Sequence, residues 1–87
     1  MSMLTAPAQV AVWLVNGVPA RLVWDAVRYR VTDTPTPLTE DEWCPALTHA
    51  ARRIVGWRFQ GTTAGGQSLM FEIVESDTGW HMVRVYD

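Results

Sequence analysis

Hydrophobic and polar residues alternate strictly along two short runs in the first third of the chain. The segment from Ala20 to Asp33 reads A-R-L-V-W-D-A-V-R-Y-R-V-T-D, with Asp25 and Ala26 between the two runs. A period of two in residues that are mostly β-branched or aromatic is typical of β-strands. Two such runs around a two-residue break predict a β-hairpin, which is the clearest element of the chain.

Asp25 and Ala26, as the loop residues, fix which side chains of the hairpin face each other. One face then collects every apolar residue except Val23, so we predict that this face lies against the core. Its cross-strand pairs are Trp24 with Val27, Leu22 with Tyr29, and Ala20 with Val31. The turn is unusual, because a tight primed turn favours glycine at its second position. Ala26 must therefore be strained, or the loop must be longer.

The opposite face of the hairpin brings arginine side chains together. Arg21 lies across from Arg30, and Arg28 lies across from Val23. Like charges directly opposite each other destabilise a sheet by a few tenths of a kcal/mol to about 1 kcal/mol. A carboxylate nearby, a stacked aromatic ring or a bound anion would each offset that repulsion.

The segment before the hairpin, Gln9 to Val15, is apolar on both faces. This pattern predicts a strand that is covered on both sides or forms an interface. Asn16-Gly17, followed by Val18-Pro19, predicts the turn into the hairpin. A three-residue loop would place Trp13 outside beside Arg21, whereas a loop of two or four residues would bury Trp13. The pattern leaves this register open.

The last third of the chain repeats the alternation and predicts three more strands. Loops over Thr62 to Gly66 and Ser76 to Gly79 are independent choices that place the same apolar residues on one face, which predicts a meander. That face carries Val55, Trp57, Phe59, Leu69, Phe71, Ile73, Trp80, Met82 and Tyr86. The implied partners are Trp57 with Phe71, Phe59 with Leu69, Ile73 with Met82, and Leu69 with Tyr86. Arg84 is the exception, because it lands on the apolar face opposite Phe71.

The middle of the chain predicts a break in the sheet. Each proline of T-P-T-P-L after Asp33 pushes its predecessor out of helical space, so this segment is expected to leave the sheet in an extended form. Thr39 to Glu42 has the form of a capping box. An apolar stripe between Pro45 and Gly56, the expected C-terminal stop, indicates a short helix near residues 45–53, with an irregular loop as the alternative.

These elements predict a single domain over residues 1–87. Its fold class is all-β, or mainly β with one short helix, with about six antiparallel strands in a curled sheet, a roll or a small half-open barrel. The strands are predicted near residues 9–15, 20–25, 27–33, 55–61, 67–75 and 80–86. Residues 1–8 are expected to be frayed, and residues 34–54 to form a loop or a short helical insert.

Charge adds one restriction. The chain has nine acidic residues and seven basic ones, all of them arginine, for a net charge of −2. Codon usage in a G+C-rich genome explains the absence of lysine most simply, and a net negative charge argues against binding nucleic acid through bulk charge. The acidic residues crowd two segments, 33–42 and 72–77, which leaves room for an arginine face between them.

Few residues suggest catalysis. The single cysteine, Cys44, excludes an internal disulfide and favours the cytoplasm. His49 and His81 lie on different predicted elements, and Cys44 would act as a nucleophile only with His49 as its base. We therefore predict no enzyme activity, no catalytic residues, no metal and no cofactor.

No apolar run approaches the roughly 20 residues that span a bilayer, and no signal peptide is evident.

Three motifs go beyond the alternation: W-D-A-V-R-Y-R-V from Trp24, G-W-R-F-Q-G from Gly56, and V-R-V-Y-D in the last strand. They resemble a family of short uncharacterised proteins from high-G+C Gram-positive bacteria, whose pattern is V-W-D-G-R-R-Y-R-V-T-D-T-P-T-P-L, then G-W-R-F-Q-G-T, then R-V-Y-D. The resemblance covers most of residues 18–87 and is lost between Glu40 and Val55, and Ala26 replaces the family's turn glycine. The family has no assigned activity, so it implies no catalytic residues. A more distant likeness is to small W-x-G-R-W-Y-x-V…R-V-Y-D domains of unknown function, often encoded near genes for error-prone DNA polymerases.

Two functional interpretations follow, and both are binding roles. The favoured one is a protein-interaction or accessory module, monomeric or weakly dimeric and without a membrane partner. It would bind another protein through a sheet edge or through the apolar outer face of the first strand. The alternative is a nucleic-acid or anion-binding domain. Its candidate binding residues are Trp13, as a stacking platform, and Arg21, Arg28, Arg30 and Arg58.

The partners of the arginines separate the two interpretations. The favoured one expects each hairpin arginine to lie beside Asp25, Asp33 or another carboxylate of the acidic segment 33–42. Arg58 is expected to pair with Glu72, its diagonal neighbour on the reverse face of the meander. The alternative expects the hairpin arginines to share one open face without such partners.

Overall fold

The described part of the chain is built from antiparallel β-strands. The computed structural model describes residues 8–39 and 54–87, and within these two ranges 76% of the residues lie in strands and none in a helix, which confirms the all-β prediction. The strands are β1 (Ala8–Val15), β2 (Val18–Trp24), β3 (Val27–Val31), β4 (Thr36–Thr39), β5 (Ile54–Thr62), β6 (Ser68–Ser76) and β7 (Gly79–Tyr86). Every strand except β4 begins and ends within two residues of a predicted one.

Two long-range pairings close the sheet into a barrel. β1 pairs with β7 through residues 8–10, and β3 pairs with β5 through Arg30 and Val31. β1, β2 and β3 form one antiparallel meander, and β5, β6 and β7 form the other. Because both ends of the meanders are joined, the six strands form a small closed barrel rather than a half-open one.

β4 is a strand that the sequence pattern did not predict. It continues the path of β3 along the same edge of β5, with Thr36 facing Arg58 and Leu38 facing Gly56. Its one proline, Pro37, has no N–H group to donate to a neighbouring strand, but β4 is the last strand of the sheet, where proline is tolerated. The T-P-T-P-L segment is therefore extended, as expected, yet it stays in the sheet.

The first hairpin has the predicted register, and its turn is the strained two-residue turn rather than a longer loop. Leu22 faces Tyr29, and Arg21 faces Arg30, across a loop that consists of Asp25 and Ala26 alone. The φ angles of Asp25 and Ala26 are 55° and 64°, the left-handed values that a primed turn requires. The alternative of a longer loop is therefore wrong, and Ala26 carries the strain.

Replacing Ala26 with glycine should therefore stabilise the protein. A left-handed φ at a residue with a Cβ atom costs about 1 kcal/mol, and glycine removes that cost at a small entropic penalty. Urea unfolding of Ala26→Gly should show a midpoint above that of the parent. Ala64→Gly, in an exposed loop without a positive φ, is the matched control and should instead destabilise by a few tenths of a kcal/mol. Equal shifts in the two variants would contradict the strained turn.

A β-bulge decides the register that the sequence left open between β1 and β2. The turn at Asn16-Gly17 has two residues, and both have a positive φ. Beside Trp13 the register then shifts, so that Ala20 is an extra residue in β2 and Trp13 faces Arg21. A two-residue turn alone would have buried Trp13, whereas the turn and the bulge together place it outside.

The register between β5 and β6 differs from the predicted one by two residues. The observed partners are Trp57 with Ile73, Phe59 with Phe71, and Gly61 with Leu69, where the pattern implied Trp57 with Phe71 and Phe59 with Leu69. The loop occupies residues 63–67 and is closed by a 2.9 Å hydrogen bond from the amide of Thr63 to the carbonyl of Gln67. A displacement by two keeps each side chain on its face, so the predicted core face of these strands is unchanged.

A second bulge, in β7, explains the arginine that the pattern placed on the apolar face. Ile73 faces Met82 as predicted, but the register then shifts and Glu72 faces Arg84, which makes Val83 the extra residue. Beyond the bulge, inside and outside are exchanged. Val85 is buried in the core, Arg84 is exposed, and Tyr86 faces Met70 rather than Leu69.

The core lies inside the barrel and draws on both meanders. Its buried side chains are Val10, Leu22, Tyr29, Phe59, Phe71, Ile73, Met82 and Val85. Of the aromatic residues predicted there, Trp24, Trp57 and Trp80 are only half-buried, because each lines an open groove at the barrel surface, and Tyr86 is half-buried because the bulge in β7 turns it outward. The remaining predicted aromatic core residues, Tyr29, Phe59 and Phe71, are buried.

Several predictions concern residues outside the described ranges. These are the frayed start over residues 1–8, except Ala8, which begins β1, the capping box from Thr39 to Glu42 beyond its first residue, the helix near 45–53, and the pair Cys44 and His49. Gly56, expected to end that helix, lies within β5 instead. Among the described residues there is no helix of the length and apolarity needed to cross a membrane. The cytoplasmic compartment stays a prediction.

Candidate functional site

The outer surface of the first meander carries the candidate site. Arg21 and Arg30 face each other across β2 and β3, Arg28 lies one pair further along, and Trp13 faces Arg21 from β1. All four side chains are exposed, and Trp13 keeps 52% of its surface open although it is a large apolar residue. We call these four residues the arginine face. The meander brings together four of the five predicted binding residues.

The arginine face lies on the outer wall of the barrel and is grooved. Two open grooves of about 480 and 230 Å³ adjoin there, and Arg21 and Arg28 line both of them. The larger groove reaches Trp13 on β1, and the smaller one reaches Thr62 on β5. A ligand that occupied both grooves would therefore contact the guanidinium groups of Arg21 and Arg28, which line both.

Arg21, Arg28 and Arg30 form no ion pair with any carboxylate in residues 8–39 and 54–87. The expectation that Asp25 or Asp33 would pair with them is wrong for these two residues. Asp33 is engaged elsewhere, because its Oδ1 accepts a 2.8 Å hydrogen bond from the backbone amide of Gln60. The other acidic residues of the segment 33–42 lie outside the described ranges.

Arg58, the fifth predicted binding residue, is separate from the arginine face. Its guanidinium group lies 3.9 Å from Oε2 of Glu72, and that of Arg84 lies 3.7 Å from the same oxygen. Arg58 faces Glu72 directly rather than diagonally, and the predicted ion pair is confirmed. Tyr86 also donates to this carboxylate at 3.4 Å. The positive charge of Arg58, on the meander of β5, β6 and β7, is thus partly neutralised.

Sequence reasoning missed a set of hydroxyl groups beside Arg30. Thr62 faces Arg30 across the β3–β5 join, and its Oγ1 lies 2.9 Å from that of Thr32 and 2.8 Å from Oγ of Ser68. Thr32 also donates to Oε1 of Gln60 at 3.0 Å. Thr62 and Ser68 face each other across the β5–β6 hairpin, but they lie beside Arg30 and Thr32 only because the barrel closes, so no local pattern indicates this set.

Trp13, Arg21 and Arg30 belong to one continuous line of cross-strand neighbours. Trp13 faces Arg21, and Arg21 faces Arg30. The line continues from Arg30 to Thr62 and from Thr62 to Ser68. We call these five residues the cross-strand row, which passes over β1, β2, β3, β5 and β6. With adjacent strands about 4.8 Å apart, its four steps span about 19 Å.

Tyr29 lies between Arg28 and Arg30 in the sequence but points into the core. Burial, and to a lesser extent the negative charge of Asp25, raise the pKa of its phenol above the ordinary value of 10.0. The phenol therefore stays protonated at neutral pH and adds no negative charge beneath the arginine face.

Few other described residues could take part in binding or catalysis. Nε2 of His81 lies 2.8 Å from the hydroxyl of Thr78. In residues 8–39 and 54–87, no three side chains of His, Cys, Asp or Glu lie close enough together to hold a metal ion. The arginine face is therefore the candidate site with the strongest chemical character among these residues.

Comparison with known proteins adds no relative. No protein family model, no curated protein and no solved structure matches the chain significantly. The resemblance to the short uncharacterised proteins therefore stays a prediction, and the functional inference has to come from the site itself.

Proposed function

We propose that this protein is a non-catalytic domain that binds nucleic acid by holding phosphate groups on its arginine face. The supporting observation is that Arg21, Arg28 and Arg30 share one open, grooved surface and have no carboxylate partner among the described residues. Arginines that share one face with no carboxylate partner among residues 8–39 and 54–87 are what the nucleic-acid interpretation expects, whereas the protein-interaction interpretation expects a carboxylate beside each. The geometry therefore favours the interpretation that the sequence placed second.

Phosphate binding also accounts for the unfavourable pair of Arg21 and Arg30. Two opposed guanidinium groups repel each other in the free protein, and an anion placed between them turns that repulsion into attraction. Guanidinium groups bind phosphate oxygens through two parallel hydrogen bonds, a geometry that lysine cannot provide. The net charge of −2 does not prevent this, because the contacts are local and salt screens charges more than about 10 Å away.

Removing the opposed arginines should abolish most of the affinity. Three phosphate contacts to a single strand give a slope of about −2 in log K against log salt concentration, so binding should weaken about 20-fold between 50 and 200 mM salt. The double variant Arg21→Gln, Arg30→Gln should bind at least about tenfold more weakly with a slope near −0.7. Arg30→Gln alone should raise the free energy of unfolding by a few tenths of a kcal/mol, because it relieves the repulsion. Fluorescence anisotropy of a labelled oligonucleotide and urea unfolding measure these effects.

Arg58→Gln is the matched control, because it removes one positive charge from a neighbouring part of the barrel surface. Arg58 already shares Glu72 with Arg84, so its loss should change the affinity less than twofold and the stability by less than about 1 kcal/mol. If Arg58→Gln weakens binding as much as Arg21→Gln does, the protein binds through general charge and the arginine face is not the site.

A protein partner is the second candidate, and a different observation favours it. β1 pairs with β7 only through residues 8–10, so the edge of residues 11–15 has no described partner on that side. Leu14 and Val15 at this edge are 45% and 60% exposed. A partner could add a strand here by main-chain hydrogen bonds. If the anisotropy titration detects no oligonucleotide binding, this edge becomes the stronger candidate.

A further inference from the structure

We infer that the ligand of the arginine face is a single strand of nucleic acid that lies across the β-strands, along the cross-strand row. One base stacks on Trp13, phosphates bind Arg21 and Arg30, and the strand continues toward the hydroxyl groups of Thr62 and Ser68. This inference rests on the proposed function and adds the form and the path of the nucleic acid.

The path follows from the register of the barrel. Each residue of the cross-strand row is the direct neighbour of the next on an adjacent strand, so a ligand that contacts all of them runs at a right angle to the strands. The row spans about 19 Å, which suits a short footprint of about four nucleotides, the lower end of the range for small barrels.

The order of side chains along the row suits a nucleotide chain. Trp13, at one end, offers an exposed aromatic surface on which any base can stack. Arg21 and Arg30, in the middle, supply the charges for phosphates. Thr62 and Ser68, at the other end, supply neutral donors that suit a sugar or a further phosphate oxygen.

The hydroxyl groups at that end are already linked to one another. Oγ1 of Thr62 lies within hydrogen-bond distance of both the Thr32 and the Ser68 hydroxyl groups. Each hydroxyl has one proton and accepts readily, so the direction of such a chain can reverse. An anion beside Ser68 would orient the Ser68 hydroxyl toward itself and the Thr62 hydroxyl toward Ser68, so each of these two bonds would strengthen the other, while Thr32 keeps its proton on Oε1 of Gln60.

The curvature of the barrel favours a single strand over a duplex. The row crosses five of the six barrel strands, so a ligand along it must bend around most of the barrel within about 19 Å. Duplex DNA has a persistence length of about 150 base pairs and resists such a bend, whereas a single strand does not. A duplex also hides the faces of its bases inside the stack, where Trp13 cannot reach them.

The experiment compares three polyanions on the full chain: a ten-nucleotide single strand of thymidines, a ten-base-pair duplex and inorganic polyphosphate. Trp13→Ala should weaken binding of the single strand about 5- to 100-fold, the effect of one lost stacking contact, and leave polyphosphate binding unchanged. Trp13→Phe should restore most of the affinity. Thr62→Val should weaken single-strand binding several-fold. Val83→Ala, which shortens an exposed apolar side chain on β7, is the control and should change nothing.

The outcomes separate this inference from the proposed function. If the duplex binds as tightly as the single strand and Trp13→Ala has no effect, while the Arg21→Gln, Arg30→Gln variant still loses affinity for all three polyanions, the path along the row is wrong and phosphate binding stands. If none of the three polyanions binds the parent protein, both ideas are wrong. A preference for the single strand that disappears in Trp13→Ala supports the inference.

Discussion

Replacing Gly56 with alanine is expected to lower the free energy of unfolding by about 3 kcal/mol, the upper end for an overpacked site. A Cβ atom at this position would fall on the carbonyl oxygen of Ile73 in β6. It would also lie 3.0 Å from the carbonyl carbon of Ile73 and 3.0 Å from the Cα of Val74. All three are backbone atoms, which cannot rotate away as the end of a side chain can, so β5 and β6 would have to separate locally.

Urea unfolding of Gly56→Ala should therefore show a large loss of stability, and the pairing of β5 with β6 near residue 56 should be disrupted. Gly65→Ala is the matched control, because a Cβ atom there meets only Oγ1 of Thr63 at 3.8 Å. That variant should stay within about 0.5 kcal/mol of the parent. If Gly56→Ala unfolds at the same urea concentration as Gly65→Ala, the register between β5 and β6 is wrong.

Sequence patterns predicted the hairpins well because alternation is a local property. The pairing of Leu22 with Tyr29 follows from the two-residue turn alone, and it is confirmed. The pairing of Phe59 with Phe71 was missed by two residues, because a displacement by two leaves every side chain on its face and no pattern of apolar positions reports it.

The bulges had one visible trace in the sequence. A single extra residue in a strand exchanges the inward and outward faces of the residues that follow it. Without the bulge at Val83, alternation therefore places Arg84 on the apolar face and Val85 on the reverse face. A charged residue that breaks an otherwise consistent apolar face is therefore a reason to look for a bulge. The bulge at Ala20 left no such trace, because both registers of β1 are apolar.

The residues of the candidate site also divide into those that local patterns predicted and those that they missed. The arginine pair and its neighbour Arg28 follow from the first hairpin, so they were predicted, and Trp13 was predicted in one of two registers. Thr62 and Ser68 join the row only through the pairing of β3 with β5, which connects residues about 30 positions apart, and a contact of that range has no signal in a local pattern. Arg58 was also predicted as a binding residue, but it lies apart from the arginine face, beside the Glu72 carboxylate that the pattern had already given it as a partner.

Removing the ring of Phe71 should have the largest effect of any side-chain truncation in the core, with Phe71→Ala expected to cost about 3–5 kcal/mol. Phe71 is completely buried and contacts three other rings. Its centroid lies 4.9 Å from that of Tyr29 and 5.9 Å from that of Phe59, and Trp24 packs against it edge-on at 6.1 Å. Each such pair adds about 0.5–1.5 kcal/mol to the burial of apolar surface, so the loss exceeds that of an isolated ring.

Such a loss approaches the whole stability of a small domain, which is typically about 5–15 kcal/mol. Phe71→Ala should therefore be partly unfolded at 37 °C by circular dichroism, whereas Trp57→Ala, which removes a larger but only half-buried side chain, should remain folded. Phe71→Leu keeps most of the volume and should recover more than half of the loss. Because Phe71 packs on Tyr29, whose sequence neighbours are Arg28 and Arg30, the core supports the strand that carries the arginine face. If Trp57→Ala proves more costly than Phe71→Ala, the centre of the core lies nearer to Trp57 than the ring contacts of Phe71 indicate.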